Sequence, residues 1–152
     1  MKRTATPDHL LLDQQFCFAL YAASRSVTGL YRPLLDPLGL TYPQYLVMLV
    51  LWEQDGLTVR ELGKRLQLDS GTLTPLLKRM QAAGLVSRQR RAEDEREVEI
   101  RLTEAGLALR DQASEVPQCM ARRLQLTLDQ MLALRDELKQ LNSQLQLSPN
   151  ED

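Results

Sequence analysis

The chain has 152 residues and a mass of 17.3 kDa, a size that suits one domain or a compact pair of subdomains and is too small for a multidomain enzyme. A hydrophobic fraction of 43%, a charged fraction of 26% and a formal net charge of -1 are those of a globular protein and exclude disordered and fibrous chains. Two cysteines and one histidine cannot build a disulfide scaffold or a zinc cluster, so we expect no metal site, and thiol chemistry is the one cysteine chemistry left open.

The first apolar run of the chain breaks at Asp13, before the core of a signal sequence could form. No run of 18 apolar residues follows it. We therefore expect a soluble, cytoplasmic protein with no cofactor and no membrane partner.

Helix patterns cover most of the chain. The predicted helices span residues 10–35, 43–54, 58–66, 70–83, 103–123 and 127–147, and capping boxes begin at Thr41, Thr58 and Thr127. Residues 97–102 instead alternate between apolar and polar side chains, which predicts a half-buried strand paired with residues 85–90. The order of four helices, a β-hairpin and two helices predicts a mostly α fold with a small β-wing.

The first and last helices each carry an apolar stripe that a lone helix could not bury. Either the stripes cover this chain's own core, or they pair with a second copy; the commonness of two-fold dimers favours a homodimer. The stripes comprise Phe16, Leu20, Val27, Leu30 and Leu34 in the first helix, and Leu128, Met131, Leu132, Leu138, Leu141 and Leu145 in the last.

Charge is concentrated in one block. The segment from Val59 to Arg91 contains eight basic and two acidic residues. Because the whole chain has a net charge of -1, the rest of the chain is acidic. A soluble chain with one basic block suits a protein that meets phosphates on one face.

The fourth predicted helix has the pattern of a DNA-recognition helix. Leu73, Leu76, Leu77 and Met80 form a buried stripe. The candidate DNA contacts on the other side and at the helix start are Ser70, Thr72, Thr74, Lys78 and Arg79. A merely solvated polar face is the alternative. Pro75 requires either a helix start close to Gly71 or a kink.

The hairpin adds further basic residues, Arg88, Arg90 and Arg91. Three acids in its tip, residues 91–96, would repel DNA unless one of them holds an arginine. Asp94 paired with Arg96 or with Arg90 is that candidate, and an arginine so held could enter a narrow minor groove.

The run from Ala83 to Gly106, AGLVSRQRRAEDEREVEIRLTEAG, closely resembles the winged-helix signature of the MarR family of dimeric bacterial transcription regulators. Its wing motif R-x-x-D-x-R falls on Arg91, Asp94 and Arg96, and L-T-x-x-G follows from Leu102 to Gly106. The resemblance covers nearly the whole chain. It implies one MarR-type chain over residues 1–152, with a winged helix-turn-helix lobe at 41–102 and dimerisation helices at 10–36 and 103–147.

Two further runs, LDQQFCFALYAASR and LDSGTLTPLLKRM, resemble the organic-hydroperoxide-sensing (OhrR-type) branch of that family. The resemblance implies a transcriptional repressor that binds double-stranded DNA at a two-fold symmetric operator. It also implies that Arg96 enters the minor groove and that Asp94 buttresses it.

Cys17 lies between Phe16 and Phe18, with Tyr21 four residues on. By composition alone such a cysteine is usually inert core. The resemblance implies instead that Cys17 reacts with peroxide, that Tyr31 and Tyr42 support its thiolate and that Tyr21 lines the same pocket. The apolar rings of Phe16 and Phe18 would favour an organic hydroperoxide.

In one straight helix Cys17 and Tyr31 would be roughly 21 Å apart. Either the helix turns back, or the tyrosines come from the other subunit. Oxidation of Cys17 would give a sulfenic acid, which condenses with a second thiol. The resemblance implies an intersubunit disulfide with Cys119 that releases DNA; an unreactive Cys119 is the alternative.

Three functions compete. The leading one is a repressor released from DNA by organic hydroperoxide, and the second is a MarR-family regulator of a small aromatic ligand. The third, a thiol peroxidase, is disfavoured because no cationic residue flanks Cys17 and there is no C-x-x-C. We therefore predict that the chain is not an enzyme.

Overall fold

A computed structural model describes residues 5–147, and it confirms the predicted fold class, mostly α with a small wing. Two short 3-10 turns, Asp8–Leu10 and Leu12–Gln14, precede the first helix, and a third, Asp36–Leu38, follows it. The helices and strands, in chain order, are α1 (Phe16–Leu35), α2 (Tyr42–Glu53), β1 (Leu57–Thr58), α3 (Val59–Leu66), α4 (Ser70–Ala82), β2 (Val86–Arg90), β3 (Val98–Leu102), α5 (Glu104–Ala113), α6 (Val116–Leu124) and α7 (Leu128–Leu147).

The chain divides into two compact units between Val116 and Pro117. The first unit carries the winged-helix elements, and the second carries α7 and most of α6. Between residues 5 and 147 no single helix is long and apolar enough to cross a membrane, although the bent pair of α1 and α2 passes that test together on length and composition.

The sheet has three antiparallel strands in the order β1-β3-β2. The register pairs Leu57 with Ile100 on one side of β3, and Val86 with Leu102 on the other. The predicted hairpin is confirmed. The two-residue β1 was not predicted, because its partner lies about forty positions away and no local pattern marks it.

The core of the first unit is aliphatic and follows the predicted patterns. The α4 stripe of Leu73, Leu76, Leu77 and Met80 is buried, as predicted. Other fully buried side chains come from α1, α2, α3 and the sheet: Leu35, Val47, Met48, Leu51, Leu62, Val86 and Ile100.

Two predicted helices are wrong in extent. The first begins at Phe16, not at residue 10, because Gln15 and Leu11 are extended and Leu10 and Leu12 lie in 3-10 turns. The predicted helix 103–123 is two helices, α5 and α6. Pro117 explains the break, since it has no N–H to donate to the carbonyl of Ala113 and its ring would clash there.

The L-T-x-x-G motif joins the wing to α5. The Thr103 hydroxyl accepts a hydrogen bond from the Gly106 N–H at 3.1 Å and donates to the Gly84 carbonyl at 2.6 Å. A side chain at Gly106 would collide with the Leu85 carbonyl oxygen. The motif therefore closes the wing against the helix and has a structural role.

Candidate nucleic-acid interface and thiol site

Helices α3 and α4 form the helix-turn-helix. Gly63 permits a tight turn between them, since a Cβ there would lie 2.7 Å from the Leu68 carbonyl oxygen, and Gln67 takes the left-handed conformation at φ 55°. The predicted capping box at Thr58 is confirmed, and hydrogen bonds from Thr58 lower the pKa of Glu61. Both helix starts are thereby fixed in position, because Asp69 caps α4 as well.

Helix α4 carries five of the side chains predicted to meet DNA. Asp69 accepts a hydrogen bond from the Thr72 N–H at 2.7 Å, and this bond lowers the pKa of Asp69. Of the predicted contacts, Ser70, Thr72, Lys78 and Arg79 are exposed, and Thr74 is half-buried. The helix begins at Ser70, so Pro75 is accommodated in the second turn of one continuous helix.

An open groove of about 460 Å³ runs between the starts of α3 and α4 and the wing. Of the predicted DNA contacts, those that line it are Ser70, Thr74, Arg88, Asp94 and Arg96. Thr72, Lys78, Arg79 and Arg90 do not line it. Arg60 does, and sequence reasoning gave it no role, although it lies in the basic block at the start of a capped helix.

The wing tip settles which arginine Asp94 holds. Asp94 Oδ1 accepts hydrogen bonds from the Arg96 backbone N–H at 3.0 Å and from Arg96 Nε at 3.3 Å. Arg90 donates instead to the Glu95 carbonyl at 3.2 Å. The Arg96 side chain is 93% exposed, so an arginine fixed at its base still extends into solvent.

Arg91 and Arg88, two further arginines of the wing, differ in their partners. Arg91 forms ion pairs with Glu97 at 3.4 Å and with Glu99 at 3.2 Å, so carboxylates of the wing itself neutralise its charge. Glu99 also pairs with Arg101. Arg88, by contrast, has a buried Nε with no hydrogen-bond partner among the described residues. Such an unpaired buried donor is costly and would be satisfied by an acceptor from a ligand.

Cys17 is exposed and lies at the second residue of α1. The sequence placed it deep in a helix that began at residue 10. At its observed position it is in the first turn, where backbone N–H groups have no intrahelical acceptor. In the part of the chain that the structure describes, no side chain caps this helix start. Phe16 is 65% exposed and Phe18 is 39% exposed, so the predicted apolar neighbours of the thiol face solvent in the isolated chain.

Tyr31 and Tyr42 meet, as ring neighbours with centroids 4.7 Å apart. Tyr45 completes the cluster at 5.7 Å from Tyr31; sequence reasoning missed it, although it lies one helical turn after Tyr42. Burial, with a smaller contribution from the neighbouring phenols, raises the pKa of Tyr31 to about 12. Burial also raises the pKa of Tyr42 and of Tyr45. These phenols therefore keep their protons and can donate O–H groups at neutral pH.

Within one chain Tyr21 is not part of this cluster. Its side chain is 60% exposed, and the Arg25 guanidinium lies over its ring at 5.5 Å. Cys17 is also remote from the cluster. Helix α1 is unbroken from Phe16 through Tyr31, so fourteen residues separate thiol and phenol by roughly 21 Å along the axis. The alternative in which the helix turns back is excluded.

Cys119 lies in α6, where it is half-buried and its thiol is not part of a disulfide. Arg122, one turn later, donates from Nη2 to the Cys119 sulfur at 3.1 Å. Sequence reasoning did not identify this contact, although the i, i+3 spacing on a helix signals it.

Several known proteins are similar to this chain. Residues 29–112 match the family model for the transcriptional regulator SarA/Rot. The chain is 56% identical over 110 residues to the organic hydroperoxide resistance transcriptional regulator of Bacillus subtilis (strain 168), covering 72% of this chain and 75% of the relative. It is 49% identical over 145 residues to the HTH-type transcriptional regulator TtmR of Methylorubrum extorquens (strain PA1). This match covers 95% of this chain and 74% of TtmR.

Among solved structures, the chain is similar to AbfR of Staphylococcus epidermidis in two states, each 36% identical. Reduced AbfR bound to DNA has a TM-score of 0.73, and the match covers 88% of this chain and 94% of AbfR. The disulfide form of AbfR has a TM-score of 0.63, and the match covers 90% of this chain and 93% of AbfR. Both curated relatives are named as transcription regulators and not as enzymes.

Proposed function

This chain belongs to the MarR family of winged-helix transcription regulators, and we propose that it is a repressor that organic hydroperoxides release from DNA through Cys17. The observation that carries the proposal is the exposed Cys17 thiol at the uncapped start of α1. The relative that is 56% identical and named for organic hydroperoxide resistance supports it.

The DNA contacts divide by chemistry. The α4 start enters the major groove, where Ser70, Thr72 and Thr74 reach base edges and phosphates. The basic side chains that neutralise phosphates are Lys78, Arg79, Arg88 and Arg90. Arg96, held by Asp94, enters the adjacent minor groove. The DNA complex of AbfR supports this partner.

The sensing step begins at the Cys17 sulfur. The thiolate attacks the terminal oxygen of the hydroperoxide, the S–O bond forms and the O–O bond breaks. The alkoxide leaves and takes up the proton that the thiol had lost, so an alcohol and a cysteine sulfenic acid result. Free N–H groups at a helix start favour a negative charge, so the backbone supplies what no cationic side chain does. Phe16 and Phe18 offer an apolar surface to the alkyl group of the peroxide.

The site is complete only in a homodimer. An unbroken helix separates Tyr31 from Cys17 of its own chain, and Tyr42, on α2, lies against Tyr31. Both phenols therefore donate to the thiolate of the partner, with Tyr21 lining the same pocket. Exposed apolar side chains along α1 and α7, among them Phe16, Leu20, Leu132 and Leu138, supply a surface for pairing.

The second step joins Cys17 of one chain to Cys119 of the other. The disulfide form of AbfR, a similar regulator, supports a step of this kind. A dimer that reads two half-sites about 34 Å apart tolerates little change in their spacing, so the new bond lowers affinity for DNA.

A gel shift on the region upstream of the protein's own gene tests the proposal. Wild type, Cys17→Ser and Cys119→Ser are compared with and without a small excess of cumene hydroperoxide. We expect wild type to release DNA and Cys17→Ser to stay bound, with Cys119→Ser giving a sulfenic acid but no crosslinked dimer on a non-reducing gel. Equal release of wild type and Cys17→Ser would overturn the cysteine mechanism and direct attention to aromatic ligands.

A further inference from the structure

We propose that Arg122 is a positioning residue that holds Cys119 ready to attack the oxidised partner cysteine. The inference rests on the proposed function and adds to it a residue that makes the second thiol competent.

The contact is direct. Arg122 Nη2 lies 3.1 Å from Cys119 Sγ, and the two residues are one turn apart on α6, where side chains at i and i+3 are neighbours. No carboxylate among residues 5–147 forms an ion pair with Arg122. The guanidinium therefore has the sulfur as its polar partner, and a hydrogen bond from a cation is stronger when its acceptor is charged.

The chemistry of the second step needs this charge. The thiolate of Cys119 attacks the sulfur of the Cys17 sulfenic acid; the new S–S bond forms, the S–O bond breaks, and hydroxide leaves and takes up the proton that Cys119 lost, giving water. The Cys119 sulfur is oxidised and the sulfenic sulfur is reduced. Because the thiolate is the attacking species, a guanidinium beside Cys119 speeds this step and leaves the first step at Cys17 unchanged.

The two cysteines thus differ in what favours their anions. Cys17 lies at an uncapped helix start, whereas Cys119 has a guanidinium at hydrogen-bond distance. The difference makes the two steps separable by mutation. Arg123, the next residue, is exposed and forms no hydrogen bond with the Cys119 sulfur among the described residues, so it supplies a control of equal charge.

The first experiment isolates Cys119 in a Cys17→Ser background and measures its rate of alkylation by iodoacetamide, a neutral reagent, between pH 6 and 8. We expect Arg122→Gln to slow alkylation at pH 7 by about tenfold, Arg122→Lys to restore part of the rate, and Arg123→Gln to leave it within about twofold. The deficit of Arg122→Gln should shrink at high salt because the charge is screened. Equal rates for Arg122→Gln and the parent would overturn the proposal, as would an equal loss in Arg123→Gln.

The second experiment keeps Cys17 and follows both steps after one equivalent of cumene hydroperoxide. Dimedone trapping reports the sulfenic acid, and a non-reducing gel reports the disulfide. In Arg122→Gln we expect the sulfenic acid to form at the wild-type rate and to persist while the disulfide forms about tenfold more slowly. A disulfide that forms at the wild-type rate would overturn the role of Arg122. If wild type forms no sulfenic acid, the proposed function fails, and the alkylation experiment still decides the role of Arg122. Circular dichroism melts of each variant exclude loss of folding as the cause.

Discussion

Asp94 Oδ1 accepts two hydrogen bonds from Arg96, from the backbone N–H at 3.0 Å and from Nε at 3.3 Å. The pair fixes the base of a side chain that is otherwise 93% exposed. In the proposed function this tip faces DNA, where an acid repels phosphates. The presence of Asp94 at the tip is then explained by the arginine that it holds. Two opposing effects of Asp94 on DNA affinity can therefore be separated by experiment.

Asp94→Asn removes the repulsive charge and weakens the hold on Arg96. If the positioning of Arg96 matters more than the repulsion, affinity for DNA falls even though a negative charge is lost. We expect affinity to fall about fivefold at fixed salt, which corresponds to about 1 kcal/mol for one exposed charged hydrogen bond. Fluorescence anisotropy on the operator duplex measures it. Glu93→Gln removes the same charge without touching Arg96 and should bind equally or slightly tighter. Tighter binding by Asp94→Asn would show that the acid does not position the arginine.

Arg88 and Arg91 should differ in how their substitution changes the salt dependence of binding. The buried Nε of Arg88 lies in the groove wall and has no hydrogen-bond partner within residues 5–147, so Arg88→Gln should leave a phosphate without its cation. The slope of log K against log salt would then fall in magnitude by about one for each phosphate that is no longer neutralised, thus about two for a dimer. Arg91 is paired with Glu97 and Glu99, so Arg91→Gln should lower affinity through the shape of the wing and leave the slope unchanged. Titrations at several salt concentrations distinguish the two, and a matching drop in slope for Arg91→Gln would contradict its assignment to the wing.

Local signals predicted most of the fold. The capping boxes at Thr41, Thr58 and Thr127 are all present, because a cap depends on residues three positions apart. The alternation in β3 and the stripe in α4 are also confirmed, since each is a period of one element. The pairing of β1 with β3 was missed because it joins segments far apart in sequence.

The site was harder to predict for the same reason. Cys17 is at a helix start because Leu10 and Leu12 lie in two exposed 3-10 turns with Leu11 extended between them, whereas the apolar character of these residues alone favoured a longer helix. The contact of Tyr31 with Tyr42 depends on how α1 packs on α2, which no local pattern encodes. Local reasoning left Arg96 and Arg90 open as the partner of Asp94, the family resemblance pointed to Arg96, and Arg96 is the arginine that Asp94 binds.

Tyr31 predicts an alkaline effect with a definite sign. Its pKa is raised to about 12 in the folded chain, against about 10 for an exposed phenol. The folded state therefore holds the proton more tightly, so the stabilisation is complete below pH 10 and is lost as pH rises from 10 towards 12. Urea unfolding at pH 9, 10 and 11 should show a free energy of unfolding that falls less steeply with pH in Tyr31→Phe than in wild type.

Absorbance at 295 nm provides the matching titration. Tyr31→Phe should remove a component that titrates near pH 12 in wild type, whereas Tyr21→Phe should leave that component in place, because Tyr21 lies outside the tyrosine cluster. If the absorbance change near pH 12 is the same in Tyr31→Phe as in wild type, the phenol that titrates there belongs to another residue.

Gly106 should be the least replaceable residue of the L-T-x-x-G motif. A Cβ there would collide with the Leu85 carbonyl oxygen, and the Gly106 carbonyl accepts a hydrogen bond from Trp52 Nε1 at 3.0 Å. Gly106→Ala must therefore push α5 away from the start of β2, and we expect it to lower the free energy of unfolding by about 1–3 kcal/mol. Urea denaturation followed by far-UV circular dichroism gives the stability, and the fluorescence of the one tryptophan in the chain reports the local displacement. Gly29→Ala is the control, since nothing lies within 4 Å of a Cβ there and alanine within a helix is favoured over glycine by about 0.5–1 kcal/mol. Equal stability of the two variants would mean that α5 can shift freely and that the close approach at Gly106 does not constrain the wing.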